Sequence, residues 1–418
     1  MRLFLLTAVT SVLLIASPSE NFGLGGETSS RVNGVVAEEQ NPYAAFYNPA
    51  LIAASERPQF AFTTSVAKTS FSSIQSGTRA VQLPAQSLTY WSMGFTYPFL
   101  LPPVSRSLGL GVSLNGPFHR LRNFNAHQPD DFFALRYGNS DSQFAATISG
   151  SVELWPEHLY FGTGVSFYIS GGGNADATLS ENPTGRMALD VGLESALVTG
   201  FVGKVERTRL GFSYHQELNP TFVQQLEARV PILGTTFRQP ILVRSSLYYE
   251  PHRFELEGQH DFGNCKVSMG LAYQLWQQYT PPVLIVETQT LGGETRTTQL
   301  ASPQLRNTVS PRASLTVPTV NRRWSFSGGY EFRPSPIAST ADEANVLDSD
   351  THILGLGIEH TVLPGEFIAG QMRFGLFGQY HRLSERDIAK NAREGRAASS
   401  YKFSGSSYTY GIYLQAEL

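Results

Sequence analysis

His352 and His360 bracket the stretch HILGLGIEH, and paired imidazoles are common metal ligands. Between them Leu354, Leu356 and Ile358 recur at every second position, the period of a β-strand and not of a helix. Eight extended residues cover about 26 Å at roughly 3.3 Å each, so the two rings cannot share an ion and no metal site is expected. The chain also contains no Gly-x-Ser-x-Gly elbow, no His-Glu-x-x-His pair and no phosphate-cradling Gly-Lys-Ser/Thr loop. A catalytic triad is defined by geometry and not by chain order, which leaves a lipase or protease as an alternative. The expectation is a non-enzyme with no catalytic residues and no cofactor.

The remaining chemistry-bearing residues point to binding. Cys265 is the only cysteine, so no internal disulfide can form. The net charge of -3 is spread along the chain, which argues against a nucleic-acid partner. The stretch 117–142 holds Phe118, Phe124, Phe132 and Phe133 beside His119, Arg120 and Arg122, more aromatic than a solvated loop requires. These residues either form a landing groove for an amphipathic ligand, with the basic groups near a carboxylate, or pack against neighbouring loops. Arg323, Glu331, Arg333 and Arg373 fall on the polar side of alternating stretches and read as ion pairs inside a barrel.

Alternation itself supplies the scaffold. In residues 408–418, Tyr408, Tyr410, Ile412, Leu414, Ala416 and Leu418 oppose Thr409, Gly411, Tyr413, Gln415 and Glu417. Residues 323–333 and 253–262 sort in the same way. Strands are expected near 59–70, 87–98, 107–116, 143–155, 158–170, 187–204, 208–218 and 239–250. Further strands are expected near 253–279, 308–318, 322–333, 351–361, 368–382 and 405–418, with 131–137 a possible short one. The stretch 253–279 is either one bulged strand or two strands turning at Gly263-Asn264. Short links such as 155–158, 250–253 and 362–367 alternate with long ones such as 71–86, 117–142, 171–186, 280–307, 334–350 and 383–404, as a membrane barrel inserted from the periplasm requires.

The other end of the chain agrees. Met1-Arg2 precedes an apolar run, Leu3 to Ile15, and then small residues at Ala16, Ser17 and Ser19. This reads as a signal peptide over residues 1–19, too short to span a bilayer, which needs about 20 apolar residues. The fold class expected is all-β: a transmembrane antiparallel barrel of about 14 strands over residues 59–418, in the outer membrane of a Gram-negative bacterium. Before the first strand comes FYNPALI, in which Pro49 lacks a backbone donor and restricts Asn48 to extended geometry.

The segment from GLGGETSS (Gly23 onward) to NPALI (ending at Ile52) resembles the FadL family of outer-membrane hydrophobic-compound transporters. GLGVSLNGPF (109–118), YEFRPSPI (330–337) and LDSD (347–350) are similar to further family segments in the same order. Thr409, Gly411, Leu414 and Ala416 resemble an outer-membrane assembly signal, which implies barrel assembly machinery as a partner. The resemblance implies an N-terminal plug over residues 20–58, with Asn48, Pro49 and Ala50 at its bend. It implies transport of hydrophobic compounds, foremost long-chain fatty acids, by a monomer in contact with outer-membrane lipid. Ligand would bind inside the barrel and leave sideways at strand 3, where Gly109, Gly111, Asn115, Gly116 and Pro117 are the gate candidates; the alternative there is an ordinary strand with small residues and an outer turn. Some related barrels instead shuttle secreted proteins, the alternative function. A non-selective ion pore is a further class, opposed by a segment that blocks the lumen.

Overall fold

The computed structural model describes residues 18–38, 41–72, 74–76, 79–81, 83, 85–101, 106–118, 132–137, 144–178, 184–232, 235–246, 249–279, 285–289, 295–298, 305–337, 340–341, 346–362, 364, 370–390 and 401–418. The predicted signal peptide falls almost wholly outside these residues. Fourteen strands make the wall. They are β1 (Gln59–Phe71), β2 (Gln86–Leu101), β3 (Arg106–Pro117), β4 (Ala145–Trp155), β5 (Leu159–Thr178), β6 (Thr184–Val205) and β7 (Thr208–His215). The second half comprises β8 (Arg253–Asp261), β9 (Lys266–Gln274), β10 (Thr308–Pro318), β11 (Trp324–Arg333), β12 (Thr351–Val362), β13 (Met372–Lys390) and β14 (Tyr401–Glu417). Each strand pairs antiparallel with the next, and β1 closes on β14 from Gln59↔Glu417 to Phe71↔Gly405. Closure pairs every wall strand on both sides, the only way a sheet can cross hydrocarbon without exposing backbone donors.

The period-2 pattern sorts as expected. Tyr408, Tyr410 and Ile412 face outward and exposed, whereas Thr409, Tyr413, Gln415 and Glu417 are buried. Aromatic and histidine residues ring the two ends of this outer face. At the short-turn end, His360 lies against Trp324 with ring centroids 4.4 Å apart, and His260 against Phe262 at 4.4 Å. At the other end, the Tyr330 hydroxyl sits 2.8 Å from His352 Nδ1 and the Tyr214 hydroxyl 2.9 Å from His252 Nδ1. His352 and His360 are thus girdle residues, each matched to an aromatic of β11, the arrangement suited to membrane interfaces.

Three stretches differ from the sequence expectation. Residues 253–279 form two strands, with Gly263 at φ 86 in the turn between them. Residues 239–250 do not enter the wall: Thr235–Ser246 pairs with Thr221–Ile232, which joins the outer end of β5 in parallel, while β7 pairs directly with β8. Alternation reports which way side chains face and not how far along the barrel axis a strand sits, so it could not place this hairpin outside the wall. For the same reason the link at 250–253 ends an outer excursion and is not an inner turn. Gly171-Gly172-Gly173 reads as loop, yet β5 and β6 remain paired out to Thr178↔Thr184.

Inward side chains of the second half form ion pairs. Arg312 on β10 reaches across β9 to Glu255 (2.6 Å) and Glu257 (3.1 Å) on β8, and Arg253 pairs with Glu255 as well. Gly270 of β9 leaves the room: a Cβ there would stand 3.1 Å from Arg312 Nε. Removing one partner of such a buried set strands the other charge, at a cost of about 3 kcal/mol. Glu255→Ala should lower the temperature at which the barrel loses its compact gel mobility in detergent, with Glu255→Gln intermediate.

Candidate functional site

The N-terminal segment lies inside the barrel. It carries four short helices, α1 (Pro18–Phe22), α2 (Gly26–Ser30), α3 (Ala44–Tyr47) and α4 (Ala50–Ala54), and nearly all of its described residues are buried. Gly25 takes φ 88, in the left-handed region, and a Cβ on it would come within 2.4 Å of the Tyr43 ring. Leu24 N donates to the Tyr47 hydroxyl (2.6 Å), and Ser29 Oγ donates to Phe22 O (2.8 Å), so the segment is knit to itself as well as to the wall.

Asn48, Pro49 and Ala50 form the link between α3 and α4. Asn48 is extended (φ -157, ψ 98), as a residue before proline must be, and Pro49 (φ -55) starts the next helix with a nitrogen that needs no partner. Asn48 Nδ2 donates to Val36 O (2.8 Å) and to Phe201 O of β6 (3.2 Å), while its Oδ1 accepts from Ala50 N (3.2 Å). One side chain therefore ties the helix start, the rest of the segment and the wall together.

The wall opposite this link is stripped of side chains. A Cβ on Gly200 would lie 2.0 Å from Asn48 Oδ1, and one on Gly162 2.3 Å from Pro49 C. On β3, a Cβ on Gly109 or Gly111 would lie 2.6 Å from Ile52. Ser149 of β4 donates to Ala45 O (2.7 Å) and Ser107 of β3 to Ala53 O (2.8 Å). Gly162 and Gly200 are absent from the sequence-derived candidates. Their signal was glycine at an inward position of a strand, where it weakens the sheet unless another backbone comes close.

Two of the gate candidates, Gly109 and Gly111, meet the segment. Asn115 is buried opposite Ser92 of β2 and Ala145 of β4, and a Cβ on Gly116 would face Phe144 at 3.4 Å. Pro117 pairs in register with Tyr90. The ladder from β2 to β3 runs unbroken from Leu101↔Arg106 to Tyr90↔Pro117, and β3 to β4 from Leu108↔Val152 to Asn115↔Ala145.

The opposite face of the segment is ionic. Glu38 pairs with Arg31 and with Lys266 of β9 (3.5 Å) and accepts from Gln259 Nε2 of β8 (2.5 Å). Glu27 lies 3.1 Å from Arg31 and 3.8 Å from Arg373 of β13. Burial pushes the Glu27 carboxyl above the usual range, against the pull of Arg31. Burial alone would do the same to Glu38, but Lys266 and Arg31 reverse it and hold that carboxyl low.

Toward the long-loop end, a buried apolar cluster rich in aromatics packs on the segment. Phe22 meets Tyr90, Tyr137 and His381 at centroid distances of 6.4, 6.0 and 5.3 Å, and Phe71, Tyr401 and Trp276 belong to the same cluster. Of the groove candidates, Phe132 packs on the Tyr401 ring at 5.3 Å, Phe118 is exposed beside β3, and the backbone of Phe133 pairs with Val346. Arg120, Arg122 and Phe124 lie outside the described residues. Clefts of about 590 and 500 Å³ open on the outer, membrane-facing side of β7 to β12.

No family model matches the chain. A curated relative, alkane uptake protein A of Marinobacter nauticus, is 36% identical over 70 residues, a match spanning 16% of either chain. Among solved structures, a Pseudomonas aeruginosa FadL homologue aligns with a TM-score of 0.65 at 13% identity, covering 98% of this chain and 100% of the other. The P. putida toluene transporter TodX aligns at 0.54 and 14% identity, over 95% and 99% of the two chains. The chain has the fold of the FadL-type barrels.

Ile52 is fully buried, a contact worth about 1.5–3 kcal/mol. Gly111→Val would drive a side chain into it at a cost of about 1–3 kcal/mol. The expected result is displacement of α4 and not of the wall: a cysteine placed at Ala53 should label faster in Gly111→Val, and adding Ile52→Ala should restore slow labelling.

Proposed function

We propose that this protein carries hydrophobic compounds across the outer membrane of a Gram-negative bacterium, residues 1–19 serving as its export signal and 20–58 as its plug. Outer-membrane surfaces rich in charged saccharide resist apolar solutes, and a barrel with an apolar chamber offers them a local free-energy minimum. The observation that carries the reading is the docking of the Asn48-Pro49-Ala50 link and Ile52 on glycines of β3, β5 and β6, in a segment whose first helix packs into a buried aromatic cluster. A ligand entering that cluster displaces the segment from a wall that holds it by close packing and neutral hydrogen bonds rather than by charge.

Release then runs sideways at β3. The β3 ladder is intact with α4 seated, so withdrawal of Ile52 from Gly109 and Gly111 is the step that frees this strand to part from its neighbours. Glycines favour such a step because no wall side chain must move. Long-chain fatty acids are the substrate class we assign; alkane uptake and toluene transport, the functions named for the relatives, mark the same apolar chemistry. The barrel acts as a monomer, folded by the assembly machinery, and performs transport and not catalysis.

Uptake of labelled oleate by cells carrying the protein should exceed that of cells lacking it by about tenfold, a coupling near 1.4 kcal/mol. Asn48→Ala, with the barrel folded, should reduce that uptake several-fold. Mass spectrometry of protein purified from its native membrane should find bound fatty acid; a bound secreted polypeptide in its place would favour the shuttle reading, and equal uptake in the two cell types would refute transport.

A further inference from the structure

The stretches 132–137 and 346–350 come from different outer connections, yet they meet across the barrel mouth. Arg136 Nε donates to Asp348 Oδ1 (2.9 Å), and its Nη2 donates to Asp348 Oδ2 (2.5 Å) and to Pro334 O (3.1 Å). Arg136 is 2% exposed and Asp348 1%, so this bidentate pair is desolvated although it joins two loops. Around it Phe133–Ala134 pairs in parallel with Val346–Leu347, and Leu135 N donates to Leu347 O (2.8 Å).

The two sides are anchored by different contacts. Residues 346–350 are fixed to the rim: the Tyr401 hydroxyl donates to Val346 O (2.7 Å), Ser335 N to Asp350 Oδ1 (2.8 Å) and Ser384 N to Asp350 O (2.9 Å). Residues 132–137 are held by Arg136, by the Phe132–Tyr401 ring contact, by the Tyr137 hydroxyl, 2.9 Å from His381 Nδ1, and by burial of Ala134, Leu135 and Tyr137 in the aromatic cluster. A two-residue ladder is too short to hold itself together. Tyr137 also takes φ 75, in a region bulky residues avoid, at the position next to Arg136. Such an outlier persists only where its surroundings hold it. Its ring covers Phe22, the first aromatic of the lumenal segment.

We propose that Arg136 and Asp348 form a latch that closes the outer mouth, and that apolar compounds reach the aromatic cluster around Phe22 only when it opens. The proposal rests on the transport reading and adds its gate. A buried bidentate pair has two favourable states, paired in a dry site or separately hydrated, with little between, so the strap behaves as a switch. Relief of the Tyr137 backbone conformation favours the open state, and the ion pair opposes it.

Ala134 and Leu347 are register partners, and adjacent strands bring Cα atoms into the range a disulfide needs. The test is Ala134→Cys with Leu347→Cys in a Cys265→Ser background, followed with labelled oleate in cells and by hydrogen exchange of residues 18–26 in purified barrel. The reduced form should take up oleate as wild type does. Oxidation should cut uptake by about tenfold or more by removing the competent state, slow exchange around Phe22, and be reversed by reductant. Equal uptake and exchange in both redox forms would overturn the latch. Arg136→Gln with Asp348→Asn, which removes both charges together, should raise uptake and speed exchange; slower values of both would also overturn it. If oleate does not enter even in wild type, the transport reading fails, while the exchange difference still decides whether the strap opens.

Discussion

Hydrogen bonds between Gln59–Phe71 and Gly405–Glu417 join the first strand to the last and leave the membrane-facing wall with no edge. That closure determines what the rest of the chain must do. Barrels of about eight strands are filled by their own inward side chains. Fourteen strands enclose a wider lumen, and here many inward positions carry Gly, Ser or Thr, which fill even less. The missing volume is supplied by Pro18–Ser55, whose described residues make a buried body inside the ring. A wide barrel with small inward residues and a folded N-terminal segment are two halves of one packing solution.

The halves join in two chemically different ways. Toward β8, β9 and β13 the segment is held by charge, through Glu38 with Lys266 and Gln259 and through Glu27 with Arg373. These contacts are directional, and separating them leaves buried charges without partners. Toward β3, β5 and β6 it is held by close approach of backbone to glycine, with Ile52 seated on Gly109 and Gly111. That face also carries the Ser107 to Ala53 O and Asn48 to Phe201 O hydrogen bonds, so breaking it strands neutral polar groups but no charge. Inward glycine costs a strand roughly 0.5–1 kcal/mol per residue relative to alanine, a cost offset here by the buried contact. Of the two attachments, the glycine face gives way at lower cost.

Period-2 alternation made the wall strands legible, because each buries one face and shows the other to an apolar surround. The turn at Gly263-Asn264 was visible as an alternative for the same reason. The outer hairpin 221–246 was not, since its strands alternate as wall strands do and only pairing partners reveal that they stand beyond the rim. Asn48-Pro49-Ala50 stood out by its turn chemistry, and Gly109 and Gly111 through the family-like motif around them. Gly162 and Gly200 carry no local motif. They become meaningful only once inward parity and the position of α4 are known together, and the Arg136–Asp348 pair joins residues 212 apart in sequence. Local pattern specifies facing direction; contacts closed by the barrel are set by topology.

Topology also explains how an aromatic cluster at one end of the lumen could act on a wall patch at the other. Phe22 belongs to that cluster and Ile52 lies against β3. Between them the segment is tied by side-chain to backbone bonds that skip over sequence: Leu24 N to the Tyr47 hydroxyl, Ser29 Oγ to Phe22 O, and Asn48 Nδ2 to Val36 O. A body cross-braced in this way transmits a push on its first helix to its last. Coupling requires an element with two discrete arrangements that both sites bias. On the transport reading proposed above, the asymmetry of attachment would supply them, the ionic face serving as a pivot while the glycine face docks or parts. In that geometry the stretch FYNPALI is where the glycine-docked face of the segment meets the wall. The rigid link at Pro49 keeps Ile52 in a fixed position relative to α3, so on the proposed reading a small rotation of the whole body would separate it from both glycines of β3 at once.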